Sequence, residues 1–210
     1  WQPKEKSYQQ SSINGSWIVL SDGEPLSKEL VSKVRNKGVR CIEVHAGRRY
    51  LQADSDCFFI DPTCSEDFTQ LVNSVGGVSS IAGVIHAWQV TNQENSEDLR
   101  LTTLQLEEGI KSAILLSQSV GNEARKPLRF VLVTGDAQLV TNNDKSITPT
   151  RSASWGVLRT VAQEYHHLKT CGIDISTDEL NGHIDRLCDR ILQEATDDQL
   201  TPELAYRNGQ

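Results

Sequence analysis

Apolar positions in this chain switch repeatedly between two spacings. Short, nearly continuous apolar runs alternate with stretches in which apolar residues recur every three to four positions. The first pattern is that of a buried strand, the second that of a helix with one buried face. The run at 17–20 (WIVL) reads as a first strand. Leu26, Leu30, Val31 and Val34 follow at helical spacing, with Gly38 as the stop of a helix over 26–37. A second strand is predicted at 40–46 (RCIEVHA) and a third at 57–60 (CFFI). Asp61 and Pro62 end the third, and Thr63 or Ser65 is expected to cap a helix running to position 75.

The run at 81–87 (IAGVIHA) is the next strand. A polar loop, TNQENSED, leads into a long helix over 96–119 carrying Leu101, Leu104, Ile110, Ala113, Ile114 and Leu116. The run at 128–133 (LRFVLV) is apolar almost throughout, which suits a strand covered on both faces. Beyond it, 152–166 reads as a helix and 172–175 (GIDI) as a strand. Leu180, Ile184, Leu187, Cys188, Ile191 and Leu192 mark one more helix, and 203–207 (ELAYR) a short closing strand. Strands alternating with helices predict an α/β fold: a Rossmann-like, doubly wound, mostly parallel sheet with helices on both faces. Residues 1–16, rich in Ser, Gln and Asn from position 7 onward, read as a lead-in segment and linker, and 17–210 as the folded unit. No internal repeat is visible.

A dinucleotide-binding sheet places a G-x-G-x-x-G turn between its first strand and first helix, so that backbone N–H groups reach the pyrophosphate. Here that turn reads Ser21-Asp22-Gly23-Glu24-Pro25-Leu26-Ser27-Lys28. It holds one glycine, Pro25 lacks a backbone donor, and Asp22 and Glu24 put negative charge where a phosphate would sit. A helix-capping turn without a ligand is expected. Arg48 and Arg49 could face the 2′-phosphate of NADP, but without the pyrophosphate loop they read as solvated loop charges. Tyr165 and Lys169 form a literal Y-x-x-x-K, the proton-donating pair of short-chain reductases. The pair falls at the end of the 152–166 helix rather than near its start, which opposes a catalytic role.

The chain has 210 residues, 37% hydrophobic and 23% charged, a mixture that supports a packed core. No apolar run approaches the ~18 residues of a membrane span, and no apolar signal core opens the chain. The net charge of -7 argues against non-specific binding to nucleic acid or anionic membrane. A cytoplasmic location is expected. The chain starts at Trp1 and contains no Met, which reads as a segment of a larger polypeptide. Cys41, Cys57, Cys64, Cys171 and Cys188 are odd in number and never spaced as C-x-x-C, so reduced core thiols are expected rather than a disulfide framework or zinc site. His45, His86 and His183 are scattered, and the first two fall on predicted strands. There is no G-x-S-x-G elbow and no P-loop. No cofactor, metal or catalytic residue is expected.

One segment is more specific. Pro149-Thr-Arg-Ser-Ala-Ser-Trp155-Gly156-Val-Leu-Arg159-Thr-Val-Ala-Gln-Glu164, followed by Gly172-Ile173-Asp174, resembles a pattern from the structural subdomain of ketoreductases in modular type I polyketide synthases. Trp1-Gln2-Pro3, Ser16-Trp17-Ile18-Val19-Leu20, the strand at 81–87 and Glu203-Leu-Ala-Tyr-Arg207-Asn-Gly209 are similar to further stretches of that family, in the same order. In that family a ketoreductase has two Rossmann-like halves: a truncated one that binds no NADPH, and one that carries cofactor and chemistry. The resemblance is to the truncated, short-chain dehydrogenase-like half, or to a pseudo-ketoreductase.

It implies a non-catalytic scaffold. Its partners would be the catalytic half or adjacent dehydratase, methyltransferase or carrier-protein domains of one polypeptide, with no nucleic acid and no membrane. The signature positions Pro149, Trp155, Gly156, Arg159, Glu164, Asp174, Glu203 and Arg207 would be structural. The helix at 96–119 and the strand at 203–207 are the expected contact surfaces. The alternative is a self-sufficient NADPH-dependent β-ketoacyl reductase using Tyr165 and Lys169.

Overall fold

A computed structural model describes residues 15–90, 99–142, 144 and 147–207. Strand β1 (Ser16–Ser21) is buried throughout. Helix α1 (Pro25–Asn36) starts on Pro25, whose missing N–H costs nothing in a first turn. It buries Leu26, Leu30, Val31 and Val34 on one stripe. Strand β2 (Cys41–Ala46) follows, then β3 (Leu51–Asp54) and β4 (Cys57–Ile60). Helix α2 (Ser65–Ser74) leads to β5 (Ile81–Gln89). Helices α3 (Leu99–Leu106) and α4 (Ser112–Gly121) are joined by a π-helical segment, Glu107–Lys111. The chain closes with β6 (Leu128–Gly135), α5 (Pro149–Glu164), β7 (Leu168–Ile175), α6 (Ile184–Thr196) and β8 (Glu203–Tyr206).

The eight strands make one sheet in the order β3-β4-β2-β1-β5-β6-β7-β8. All neighbours are parallel except β3 and β4. One face packs Ile18, Leu20, Phe58, Phe130 and Leu132 against Phe68 and Leu71 of α2, Leu116 of α4, and Trp155 and Leu158 of α5. The other packs Val19, Ile85, Val131, Val133 and Ile173 against Leu26 and Leu30 of α1 and Leu187 and Ile191 of α6. Both faces are therefore covered, as the apolar run in β6 requires. The mostly parallel, doubly wound sheet is the one expected from the alternating pattern.

Several local expectations are corrected. Strand β3 was not foreseen: its four residues are all exposed, so no apolar alternation marks it. It exists because Leu51 and Gln52 pair antiparallel with Phe59 and Phe58. It also fills the place of a crossover helix, because the ten positions 47–56 between β2 and β4 are too few for one. Neither Thr63 nor Ser65 caps α2. Cys64 is the residue at its N-terminus, with no side-chain cap, and the Thr63 hydroxyl instead donates to Asp61 at 2.7 Å. The predicted 96–119 helix is two helices with a π-helical insert. Positions 96–98 and the TNQENSED loop lie outside the described residues, as do Trp1-Gln2-Pro3 and Gly209. Helix α5 starts at Pro149 rather than 152. Leu180 belongs to a separate 3-10 turn, Thr177–Asn181, ahead of α6. No helix among the described residues is long and apolar enough to cross a membrane.

Candidate functional site

The direction of winding reverses between β1 and β5, and open α/β sheets bind their ligands at the carboxyl ends of the strands there. A crevice of about 650 Å³ occupies this place. Its walls come from the end of β1 (Ser21, Asp22, Glu24), from β2 and β4 (His45, Phe59), from β5 (Trp88, Gln89), from Gln105 and Glu108, and from Arg151 and Thr177.

The turn after β1 is closed by its own side chains. Asp22 Oδ1 accepts the Glu24 amide at 3.1 Å and the Ser27 hydroxyl at 2.6 Å. Ser21 Oγ donates to Ser27 Oγ at 3.0 Å and accepts the Gly23 amide at 3.2 Å. Amides that a glycine-rich loop would turn toward a phosphate are thus spent within the turn. No side chain caps α1, contrary to the capping expected of 21–28: Glu24 at its N-terminus makes no side-chain cap, and Asp22 instead closes the turn ahead of the helix. Arg48 and Arg49 are exposed.

The floor is set by an irregularity in β5. The pairing of β5 with β6 slips by one residue between His86 and Gln89, a bulge of the kind that re-aims side chains beside sites. Trp88 donates from Nε1 to the Ser21 and Val44 carbonyls, both at 3.2 Å, tying β5 to β1 and β2. Gln89 donates from Nε2 to the Gln105 carbonyl at 3.3 Å. Its amide lies where a Cβ on Gly109 would fall, 1.7 Å from Nε2, so the π-helical segment can close on β5 only with glycine at 109. His86 is fully buried and its Nε2 pairs with Ser112 Oγ at 2.7 Å. Burial lowers its pKa to about 4. Glu108 is raised by burial first, and then by the nearby charges of Asp22 and Glu107. The crevice is therefore crowded with carboxylates, and a phosphate is the wrong partner for it. Sequence reasoning missed Gln89, Glu108 and Arg151 as members of one site. The weak signal was Gly109 inside an otherwise helical pattern.

Tyr165 and Lys169 lie away from this crevice. Tyr165 follows the last turn of α5, its ring packed where a Cβ on Gly121 would come within 2.5 Å. Lys169 is exposed near the amino end of β7, in register with Arg129. The crevice opens at the opposite, carboxyl ends of the strands.

The signature positions divide into three groups. Trp155, Asp174 and Arg207 form a buried cluster. Trp155 donates from Nε1 to Thr134 Oγ1 at 3.0 Å. Asp174 accepts from the Thr134 hydroxyl at 2.7 Å, the Ala137 amide at 2.9 Å and Arg207 Nη2 at 2.7 Å. Arg207 Nη2 also donates to the Gln138 carbonyl, and Nε to Asp144 Oδ1 at 3.1 Å. Burial pushes the Asp144 carboxyl up, but the Val140 and Thr141 amides, the Thr141 hydroxyl and Arg207 outweigh it and hold the pKa low. On the surface, Arg159 grips Glu203 with Nε and Nη2 at 2.6 and 3.1 Å, joining α5 to β8. Pro149 opens α5. Gly156 and Glu164 are exposed, and a Cβ at Gly156 would meet open space.

All five cysteines are free thiols, and burial pushes Cys41 and Cys188 up to about 12. No cluster of metal-ligand side chains occurs among the described residues. Helices α3 and α4, in the stretch expected to meet a partner, expose Leu104, Leu106 and Ile114.

Residues 15–194 match the family described as beta-ketoacyl synthase-like, N-terminal. No curated protein matches the sequence. Among solved structures, the fold is similar to part of a keto acid-selecting NRPS module containing adenylation, ketoreductase and pseudo Asub domains. That match has a TM-score of 0.86 and 22% identity, and covers 100% of this chain and 17% of that one. It is also similar to an N-terminal ketoreductase from the macrolactin assembly line, with a TM-score of 0.69, 16% identity, and 95% and 40% of the two chains covered. A short-chain dehydrogenase/reductase from Brucella ovis, solved with a partially ordered NAD, matches with a TM-score of 0.70 and 13% identity over 93% of this chain and all of that one. The sheet and its helices are thus those of the short-chain dehydrogenase fold. The chain spans less than half the length of the two assembly-line structures.

Proposed function

The chain belongs to the beta-ketoacyl synthase-like, N-terminal family, and from that premise we propose that it is a non-catalytic scaffold subdomain of the ketoreductase region of a polyketide-type assembly line. Its task is to stabilise and position a catalytic half, or a neighbouring domain, of the same polypeptide. The observation that carries this reading is the turn after β1. Asp22 accepts the Glu24 amide and the Ser27 hydroxyl there, and Asp22, Glu24 and Glu108 line the crevice in which a dinucleotide would have to lie. Two unit charges of like sign at ~4 Å repel by about 1 kcal/mol even in water, and by more when partly buried. Pyrophosphate binding is opposed by charge as well as by the missing donors.

The contact surfaces proposed for the partner are α3 and α4, which expose Leu104 and Ile114, and strand β8, which is an edge of the sheet among the described residues. A setting among linked domains is supported by the similar NRPS module, which holds adenylation, ketoreductase and pseudo Asub domains together. A reductase working through Tyr165 and Lys169 is opposed by the ring packing of Tyr165 on Gly121 and by the place of both residues at the far end of the sheet. The test is a titration of NADPH into this chain, by fluorescence and calorimetry, together with an assay of β-ketothioester reduction. No saturable binding and no turnover are expected. Micromolar NADPH affinity, or turnover abolished by Tyr165→Phe, would overturn the scaffold reading.

A further inference from the structure

Among the described residues, the edge of the sheet opposite β8 is strand β3. Its four residues, Leu51 to Asp54, are all exposed. The strand behind it is sealed on one face only. Phe58 and Ile60 of β4, on the α2 face, are fully buried, whereas Cys57 and Phe59, on the opposite face, are half-buried. The connection from β2 to β4 is β3 itself, so it brings no helix to that second face. Leu51 stands beside Phe59 in the pairing of β3 with β4, and at 51% exposure it leaves an aliphatic side chain in solvent. Such an edge offers a row of backbone donors and acceptors to a further strand.

The charges along this edge make the strand complementary to its own reverse. Arg49 and Asp54 flank Leu51, two positions before it and three after. The register of β3 on β4 slips between Gln52 and Asp54, so that Leu51 lies opposite Phe59 and Asp54 opposite Cys57. Counted in paired positions, Arg49 and Asp54 are therefore equally far from Leu51 and on its face. Laid antiparallel on a second copy about a two-fold axis at Leu51, the strand sets Leu51 against Leu51 and Arg49 against Asp54 twice. Both charged residues are exposed, and neither is in an ion pair among the described residues. Asp54 Oδ1 accepts the Asp56 amide at 2.8 Å, which holds the carboxylate in place without neutralising it. Two chains of net charge -7 repel, and a four-residue edge falls short of the ~1,200 Å² of a stable interface, so the contact is a weak one.

We propose that the chain forms a weak two-fold dimer by antiparallel pairing of β3 with β3 of a second copy. The contact is centred on Leu51, fixed by two Arg49–Asp54 ion pairs, and joins the two sheets into one. It lies at the far edge from β8 and does not rest on the scaffold reading.

The test is sedimentation velocity of the 210-residue chain at low salt, from about 1 μM to about 1 mM, with amide hydrogen exchange at both ends of that range. A monomer–dimer equilibrium with a dissociation constant of about 100 μM is expected, with new protection confined to β3. Leu51→Lys puts like charges face to face on the axis and should weaken the dimer about tenfold or more. Arg49→Asp and Asp54→Arg each set like charges opposite one another, so each alone should stay monomeric. Their one-to-one mixture restores both ion pairs and should associate as the wild type does. Lys126→Asp, exposed ahead of β6, changes the net charge as Arg49→Asp does and leaves the dimer unchanged. If loss of the Asp54–Asp56 contact undoes β3 in Asp54→Arg, Leu51→Lys decides. A monomer at every concentration, the behaviour of an edge reserved for a strand of another protein, overturns the proposal. So does protection mapping elsewhere, wild-type association of Leu51→Lys, or a mixture of folded variants no more associated than either alone.

Discussion

Arg207 Nη2 stands 2.7 Å from Asp174 Oδ2, with the two side chains 7% and 0% exposed. The pair ties β8 to β7 at their carboxyl ends and, through Ala137, Gln138 and Asp144, holds down the loop after β6. Removing one partner of such a buried pair leaves the other charge unpaired, at about 3–5 kcal/mol. Asp174→Ala and Arg207→Met are each expected to lose that much stability in urea unfolding. The double variant should lose clearly less than the sum. Strict additivity would mean that the two residues act separately.

His86 predicts a pH dependence. Its pKa in the folded protein is lowered to about 4, from 6.5, by burial. Between those values the unfolded chain holds a proton that the native state does not, so stability rises with pH and falls on acidification. The loss is about 1.4 kcal/mol per pH unit, roughly 3 kcal/mol across the interval. His86→Asn removes this contribution. Urea midpoints measured from neutral pH down to pH 4 should therefore fall more steeply for the wild-type chain than for the variant. Parallel curves would show that His86 does not titrate as its burial requires.

Gly121 is a steric test of where Tyr165 sits. A Cβ there would lie 2.5 Å from the ring, so Gly121→Ala should destabilise by about 1–3 kcal/mol through overpacking. Adding Tyr165→Leu should recover part of that loss. An alanine variant as stable as the wild type would place the ring elsewhere.

The surface pair Arg159–Glu203 should matter little, despite its two-point geometry. Arg159 is 57% exposed, and exposed ion pairs contribute about 0.2–1 kcal/mol, screened by salt. Arg159→Ala is expected to shift thermal stability slightly at low salt and not measurably at high salt. A larger, salt-independent loss would point to packing by the arginine stem.

The elements of the fold were legible where burial repeats with a period. WIVL in β1, LRFVLV in β6 and the stripe of α6 each carry a pattern that the chain can satisfy in one way. Strand β3 left no such trace, because its side chains face solvent and its cause is pairing with β4. The π-helical segment was equally silent. Its register depends on Gly109 meeting Gln89, two residues that a sequence window does not bring together.

The sequence by itself determined the winding of the sheet and the loss of the phosphate loop, since both follow from local composition: apolar period in the first case, one glycine beside Asp22 and Glu24 in the second. Only the tertiary structure decided what stands in place of that loop. The β5 bulge turns Gln89 toward the same crevice as Glu108 and Asp22, residues from three distant stretches. Their charges acquire meaning only at the separations that folding imposes, because electrostatic energies depend on distance in space, not along the chain.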